Sequence, residues 1–126
     1  MNLTKNFTSE ELACKHCGKM AIPLPAVDKL QRLRDHYGRP LKLSSAYRCP
    51  EHNAAVSSTG RAGPHTKAAF DVLVSGPEAY QIVALALLEG FTGIGVSQKG
   101  PHAARFIHLD ALDDAPDCPR PYVWSY

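Results

Sequence analysis

Apolar residues recur at helical spacing in two stretches of the chain. From Pro25 to Tyr37, the positions Val27, Leu30, Leu33 and Tyr37 share one face, and Gly38 stands where a left-handed cap ends a helix. From Ser75 to Gly90, the opening Ser75-Gly-Pro-Glu78 has the form of a capping box, Ile82, Leu85 and Leu88 supply an apolar face, and Gly90 stops the element. Two shorter helices are predicted. One runs from Thr8 to Leu12, where Thr8 or Ser9 caps and Glu10 and Glu11 suit a helix N-terminus; the other runs from Pro50 to Val56. Strand patterns lie between and after them, at Leu41–Leu43 running into Ser44–Tyr47, and at Ala68–Val74. Two more follow at Gly93–Ser97 and Arg105–Leu112, joined by a turn around Gly100-Pro101. Ser57 to Pro64 reads as a polar loop, and Asp113 to Tyr126, with Pro116, Pro119 and Pro121, as an irregular, docked tail. Helices and strands do not alternate strictly. The predicted fold class is therefore α+β, with helices packed on a small, mainly antiparallel sheet in one domain spanning residues 1–126.

Composition narrows the function classes. The chain has 126 residues, 44% hydrophobic and 21% charged, so disordered and fibrous classes are excluded. A net charge of +2 with no basic run or stripe gives no argument for nucleic acid. The longest apolar stretch, Ile82 to Leu88, falls well short of the ~20 residues of a membrane span. No apolar segment follows Lys5, so no signal peptide is expected, and the protein is expected to be made in the cytoplasm as a monomer.

Three residues invite a metal. His65 follows a Gly-Pro loop, Asp71 interrupts the apolar run Ala68-Ala-Phe-Asp-Val-Leu-Val74, and His108 falls in a later strand. Two imidazoles and a carboxylate are the donor set of a catalytic zinc ion that keeps a fourth position open. A lone carboxylate in an apolar strand is costly without a partner. An ion pair between Asp71 and an arginine, with ordinary histidines nearby, is the competing reading.

Larger motifs come in a telling order: Ser45-Ala-Tyr-Arg-Cys-Pro-Glu-His-Asn53, Gly63-Pro-His-Thr-Lys-Ala-Ala-Phe-Asp71, Gly93-Ile-Gly-Val96 and Phe106-Ile-His-Leu-Asp110. Together they resemble the zinc D-Ala-D-Ala carboxypeptidase family, which shares its fold with the hedgehog signalling domain. The resemblance runs from Phe7 to the closing Trp124-Ser-Tyr126. It implies a zinc (Zn2+) metallopeptidase acting on peptidoglycan stem peptides as a D,D-carboxypeptidase or an endolysin-type endopeptidase. It also implies that the protein is released to act on the cell wall. His65, Asp71 and His108 are implied as zinc ligands, and Arg48 as a substrate-side group that steadies an oxyanion or grips a carboxylate. A hydrolytically inactive, hedgehog-type binding module is the alternative within the same fold.

Two departures accompany the resemblance. The step from His65 to Asp71 is one residue shorter than the family's, and Ala68 stands where a glycine is usual. The acid that many relatives carry three positions before the last histidine is replaced by Arg105. Asp110, on the strand face of His108, and His102, in the preceding turn, are then the candidate bases, and Asp110 is equally a candidate for orienting a ligand.

The cysteines form a separate pattern. Cys14-x-x-Cys17 and Cys49-x-x-His52 have the spacing of a structural zinc site, against a reading in which Cys49 is simply buried. Cys49 as a peptidase nucleophile is a poor reading, because a base is normally brought in by the fold and not from three residues away. Cys118 has no evident partner, and His16 and His36 read as solvated side chains.

Overall fold

The two amphipathic segments form the main helices of the structure, a computed structural model that describes residues 1–126. Helix α1 covers Ser9–Leu12, with the Thr8 side chain accepting from the Glu11 N–H, and α2 covers Leu24–Tyr37. Strand β1 is Leu43–Ser45, α3 is Pro50–Val56, β2 is Ala69–Leu73 and α4 is Gly76–Glu89. Strands β3 (Gly93–Ser97), β4 (Phe106–Asp110) and β5 (Tyr122–Ser125) complete the chain. Helices α2 and α4 end on Gly38 and Gly90 in the left-handed region, as their positions predict.

The capping box is not made, however. Ser75 occupies the N-cap of α4 with no side-chain hydrogen bond. The buried stripe of that helix is also narrower than its apolar sequence, because Ala79, Ile82 and Ala86 face the core while Leu88 is 82% exposed. An apolar residue on a surface helix is buried only where a neighbour covers it. The predicted polar loop contains a 3-10 turn at Gly60–Ala62.

Five strands form one sheet in the order β1-β2-β4-β3-β5. Three pairings are antiparallel, and β5 joins β3 in parallel. The sheet is thus mixed, and the tail expected to be irregular contributes an edge strand through Tyr122–Ser125. Its isolated sequence is too short and too rich in proline to announce pairing, which the exposed edge of β3 supplies.

Side chains alternate across a strand, and here that alternation separates core from site. Phe70, Val72, Ile94, Ile107 and Leu109 join Val27, Leu30 and Leu33 of α2 and Ile82 of α4 in the hydrophobic core. The intervening positions form a row across all five strands, paired as Ser45–Asp71, Asp71–His108, His108–Gly95 and Gly95–Trp124. Burying each large core side chain stabilises the fold by roughly 1.5–3 kcal/mol, so the apolar face holds the polar row in register. No helix is long and apolar enough to cross a membrane.

Candidate functional site

Asp71 and His108 are cross-strand partners on β2 and β4, so backbone pairing alone sets their side chains next to each other. Asp71 Oδ1 stands 3.1 Å from His108 Nδ1. His65 enters from the 3-10 turn Pro64–Thr66, and its Nε2 lies 3.1 Å from Asp71 Oδ2. The shortened step between His65 and Asp71 is absorbed by this turn and by Lys67 (φ −125°, ψ −76°), which swing the chain into β2. Ligand atoms of His65, Asp71 and His108 all lie within 4.8 Å of one another, and all three residues are buried.

The hydrogen bonds of the two imidazoles decide which nitrogens are available. His65 Nδ1 is 2.7 Å from the Ala46 carbonyl, which can only accept, so Nδ1 carries the proton and Nε2 presents a lone pair. That Nε2 is buried and has no partner in hydrogen-bonding geometry, despite its closeness to the Asp71 carboxylate. His108 Nε2 is 2.9 Å from Asp110 Oδ2, which leaves Nδ1 facing Asp71 and His65. An orphaned buried lone pair beside a second imidazole nitrogen and a carboxylate is a donor set that a zinc ion satisfies.

Charge at the site is set by close partners. Burial pushes the Asp71 carboxyl up, but the hydrogen bond from the His108 imidazole overcomes burial and holds it well below the carboxylate range. Burial disfavours protonated His108, yet Asp110 and Asp71 outweigh this and raise it above its ordinary value. The two carboxylates therefore attract a cation to this imidazole, whether proton or metal.

Asp110 is reached by a residue the sequence did not single out. Arg120 donates to both of its oxygens, through Nε at 2.9 Å and Nη2 at 2.7 Å. Burial opposes ionisation of Asp110, but His108 and Arg120 hold its carboxyl at about 2. Asp110 is fully buried, and both of its oxygens are engaged by His108 and Arg120. Gly93 gives it room, because a Cβ there would fall 2.3 Å from the Asp110 carboxylate. Nothing in the pattern of the proline-rich tail ties Arg120 to a strand ten residues earlier.

His102 is not brought to the site. It is exposed in the 3-10 turn His102–Ala104 and borders a separate depression with Lys42, Ser75 and Arg105. Neither base candidate therefore reaches the cluster's open side.

That open side is a cleft of about 450 Å³, bordered by Arg48, Asn53, Thr59, Trp124 and Tyr126 above His65, Asp71 and His108. Arg48 Nε donates to Ser45 Oγ at 3.1 Å and Nη1 to Asn53 Oδ1 at 2.9 Å, while Nη2 faces Asp71 Oδ2 at 3.6 Å. With one Nη2 N–H turned towards Asp71, two of its five N–H groups have no protein partner. Trp124 packs its indole 4.9 Å from the His108 ring, centroid to centroid, and occupies space that a Cβ on Gly95 would invade at 2.7 Å. Burial raises the Tyr126 hydroxyl above its ordinary value, so it stays a proton donor at neutral pH. Asn53, Trp124 and Tyr126 also line the cleft, the first within a quoted motif and the other two in the closing stretch of the resemblance, and none had a sequence signal of its own.

The cysteines also converge. Sulfurs of Cys14, Cys17 and Cys49 lie within 4.8 Å of one another. His52 meets this group through its backbone N–H, 3.4 Å from Cys49 Sγ. It is His16, expected to be solvated only, whose ring nitrogen Nδ1 stands 3.6 Å from that sulfur. Cys49 lies within this group, and the cleft above His65, Asp71 and His108 does not include it.

No curated protein matches the chain. The sequence model of one family, described as Peptidase M15, matches residues 5–110, a stretch that holds Arg48, His65, Asp71, His108 and Asp110 and stops before Arg120 and β5. A match over that much of the chain places the protein in the Peptidase M15 family.

Proposed function

We propose that the protein is a zinc metallopeptidase that hydrolyses peptide bonds in the stem peptides of bacterial peptidoglycan. The observation that carries this reading is the buried, unpartnered Nε2 of His65 set within 4.8 Å of Asp71 and His108 ligand atoms at the floor of an open cleft. His65 Nε2, an Asp71 oxygen and His108 Nδ1 would hold the metal. When bound, zinc supplies Lewis-acid polarisation of the scissile carbonyl and makes water a nucleophile near neutral pH.

The protein's own residues do the rest. Asp110 keeps the His108 ring turned with Nδ1 towards the cleft, and Arg120 keeps Asp110 ionised. Ala46 fixes the His65 tautomer. Arg48 presents its free N–H groups beside the metal cluster, where they bind a substrate carboxylate or the oxyanion that develops during hydrolysis. Ser45 and Asn53 hold that guanidinium in place, so little ordering is left to the moment of binding. Tyr126 offers a protonated hydroxyl at the same cleft for the departing amine. The alternative of an inactive binding module is disfavoured by a cluster that opens to a cleft bearing Arg48.

Purified sacculi incubated with zinc-loaded protein, with the released fragments identified by mass, test the reading and name the bond cut. Fragments that vanish with a chelator and with His108→Ala are the expected result. Intact sacculi, with zinc shown to be bound, would overturn it.

A further inference from the structure

The group formed by Cys14, Cys17 and Cys49 takes no part in the site described above, yet it is built with comparable care. Cys14 and Cys49 are buried and Cys17 is exposed. The Cys14-Lys-His-Cys17-Gly18 segment folds into a tight turn. The Gly18 N–H donates to the Cys14 carbonyl at 2.8 Å and the Cys14 N–H to the Lys19 carbonyl at 2.7 Å. Gly18 takes φ +77°, a conformation open to glycine and strained for most residues. The turn leaves both thiols on one side, aimed at a third thiol 32 residues further along the chain.

Backbone donors are turned towards sulfur. The Cys49 N–H points at Cys14 Sγ at 3.3 Å. The His52 N–H points at Cys49 Sγ. Such donors favour thiolate over thiol, and the thiolate is the form that binds metal. Three thiolates crowded together repel one another unless a cation lies between them. A disulfide would use two of the sulfurs and leave the third facing it.

His16 marks the fourth corner. Ligands at ~2.3 Å (sulfur) and ~2.05 Å (nitrogen) from a tetrahedral zinc stand about 3.6 Å apart. The distance from His16 Nδ1 to Cys49 Sγ is 3.6 Å. His16 and Cys17 are both exposed, so their side chains turn freely to close the shell. The His52 ring lies flat against the His16 ring, at 5.7 Å and 5° between planes, which makes it a support for His16.

We propose that Cys14, Cys17, Cys49 and His16 bind a second, structural zinc ion in a closed tetrahedral site. Binding sends the thiol protons to solvent and leaves no coordination position for substrate. Its consequence lies in what it ties together. Cys49 follows Arg48 directly and caps α3, and the Tyr47 N–H bonds the Leu12 carbonyl at 3.1 Å. The ion would fasten the N-terminal turn to the segment that carries Arg48, and so hold one wall of the cleft.

The test uses the full-length protein carrying His108→Ala, which removes the cluster on the sheet. Elemental analysis of that variant is expected to find about one zinc per chain. Loaded with cobalt instead, it should show thiolate-to-cobalt charge-transfer absorption, a signature that a site of histidine and carboxylate ligands cannot give. Thiol titration should find Cys118 fast and the other three slow until a chelator is added. Adding Cys17→Ser or His16→Ala to this variant should weaken binding at least ~10-fold, whereas His52→Ala should weaken it less. Because Cys17 and His16 are exposed, these two changes leave the core intact. A His108→Ala protein that takes up neither zinc nor cobalt, with the exposed Cys17 thiol fast, would overturn the proposal. Loss on His52→Ala with retention on His16→Ala would overturn the choice of fourth ligand. Failure of the wild-type protein to cleave sacculi, with the cobalt–thiolate signature present, would count against the peptidase reading alone.

Discussion

His108 and Asp110 sit two residues apart on β4 and meet through Nε2 and Oδ2 at 2.9 Å, so one strand carries both an imidazole of the His65–Asp71–His108 cluster and the carboxylate that orients it. Strand alternation puts the two side chains on the same face, and Arg120 locks the carboxylate from the other side. The imidazole thereby becomes a donor of fixed orientation.

Removing the charge of that carboxylate should weaken the site without unfolding the sheet. Asp110→Asn is expected to lower zinc affinity at the His65–Asp71–His108 cluster by ~10–100-fold. Competition with a chromophoric chelator reads the affinity, and circular dichroism checks the fold. Unchanged affinity in a folded variant would remove Asp110 from the site.

Arg48→Lys separates catalysis from metal binding. A lysine keeps the charge but loses the planar fork that Ser45 and Asn53 hold in place. The zinc content should stay at the wild-type value while kcat/KM on a muropeptide substrate falls ~10²–10³-fold. Wild-type kinetics would show that Arg48 has no part in the reaction.

The metal-free protein should be most stable in a window of mildly acidic pH. Asp110 has a folded-state value of about 2, below its ordinary 3.8. Its contribution is therefore complete above about pH 4 and is lost as pH falls through about 2, amounting to about 2 kcal/mol. Asp71, lowered as well, acts in the same direction. His108 is raised above 6.5, so its contribution is complete below that pH and is lost as pH rises through the folded-state value. Thermal midpoints of chelator-treated protein should peak between about pH 4 and 6.5 and fall on both sides. With zinc bound, His108 is held neutral and the alkaline fall should disappear. A midpoint that is level from pH 4 to 8 without metal would contradict this account of the site's charges.

Gly95→Ala tests the docking of β5. The new Cβ would lie 2.7 Å from the Trp124 indole, which has to move. Overpacking of this kind costs about 1–3 kcal/mol. Trp124 is the single tryptophan, so a lower melting temperature with a red-shifted emission is the expected pair of changes. Unaltered emission would mean that the indole packs elsewhere.

The legible parts of this molecule are those whose signal is local. The α2 stripe, its glycine cap and the alternation of β2 and β4 follow from spacing, because a period of 3.6 or 2 dictates which side chains share a face. His65, Asp71, His108 and Arg48 stood out because polar residues in apolar strands, and motifs in a recognisable order, are written in the chain itself. Residue type and spacing were enough to nominate the site.

Tertiary structure decided what depends on distant partners. It chose Leu88 for solvent and Ala79 and Ala86 for the core, because burial is set by what covers a residue and not by its hydropathy. It paired Asp110 with Arg120, and it left His102 at a separate surface. It also made a strand of Tyr122–Ser125, since an edge strand takes its hydrogen bonds from the neighbour it meets. His16 joined the cysteines for the same reason. Spacing along a chain tells which side chains point the same way, and only the folded packing tells what they point at.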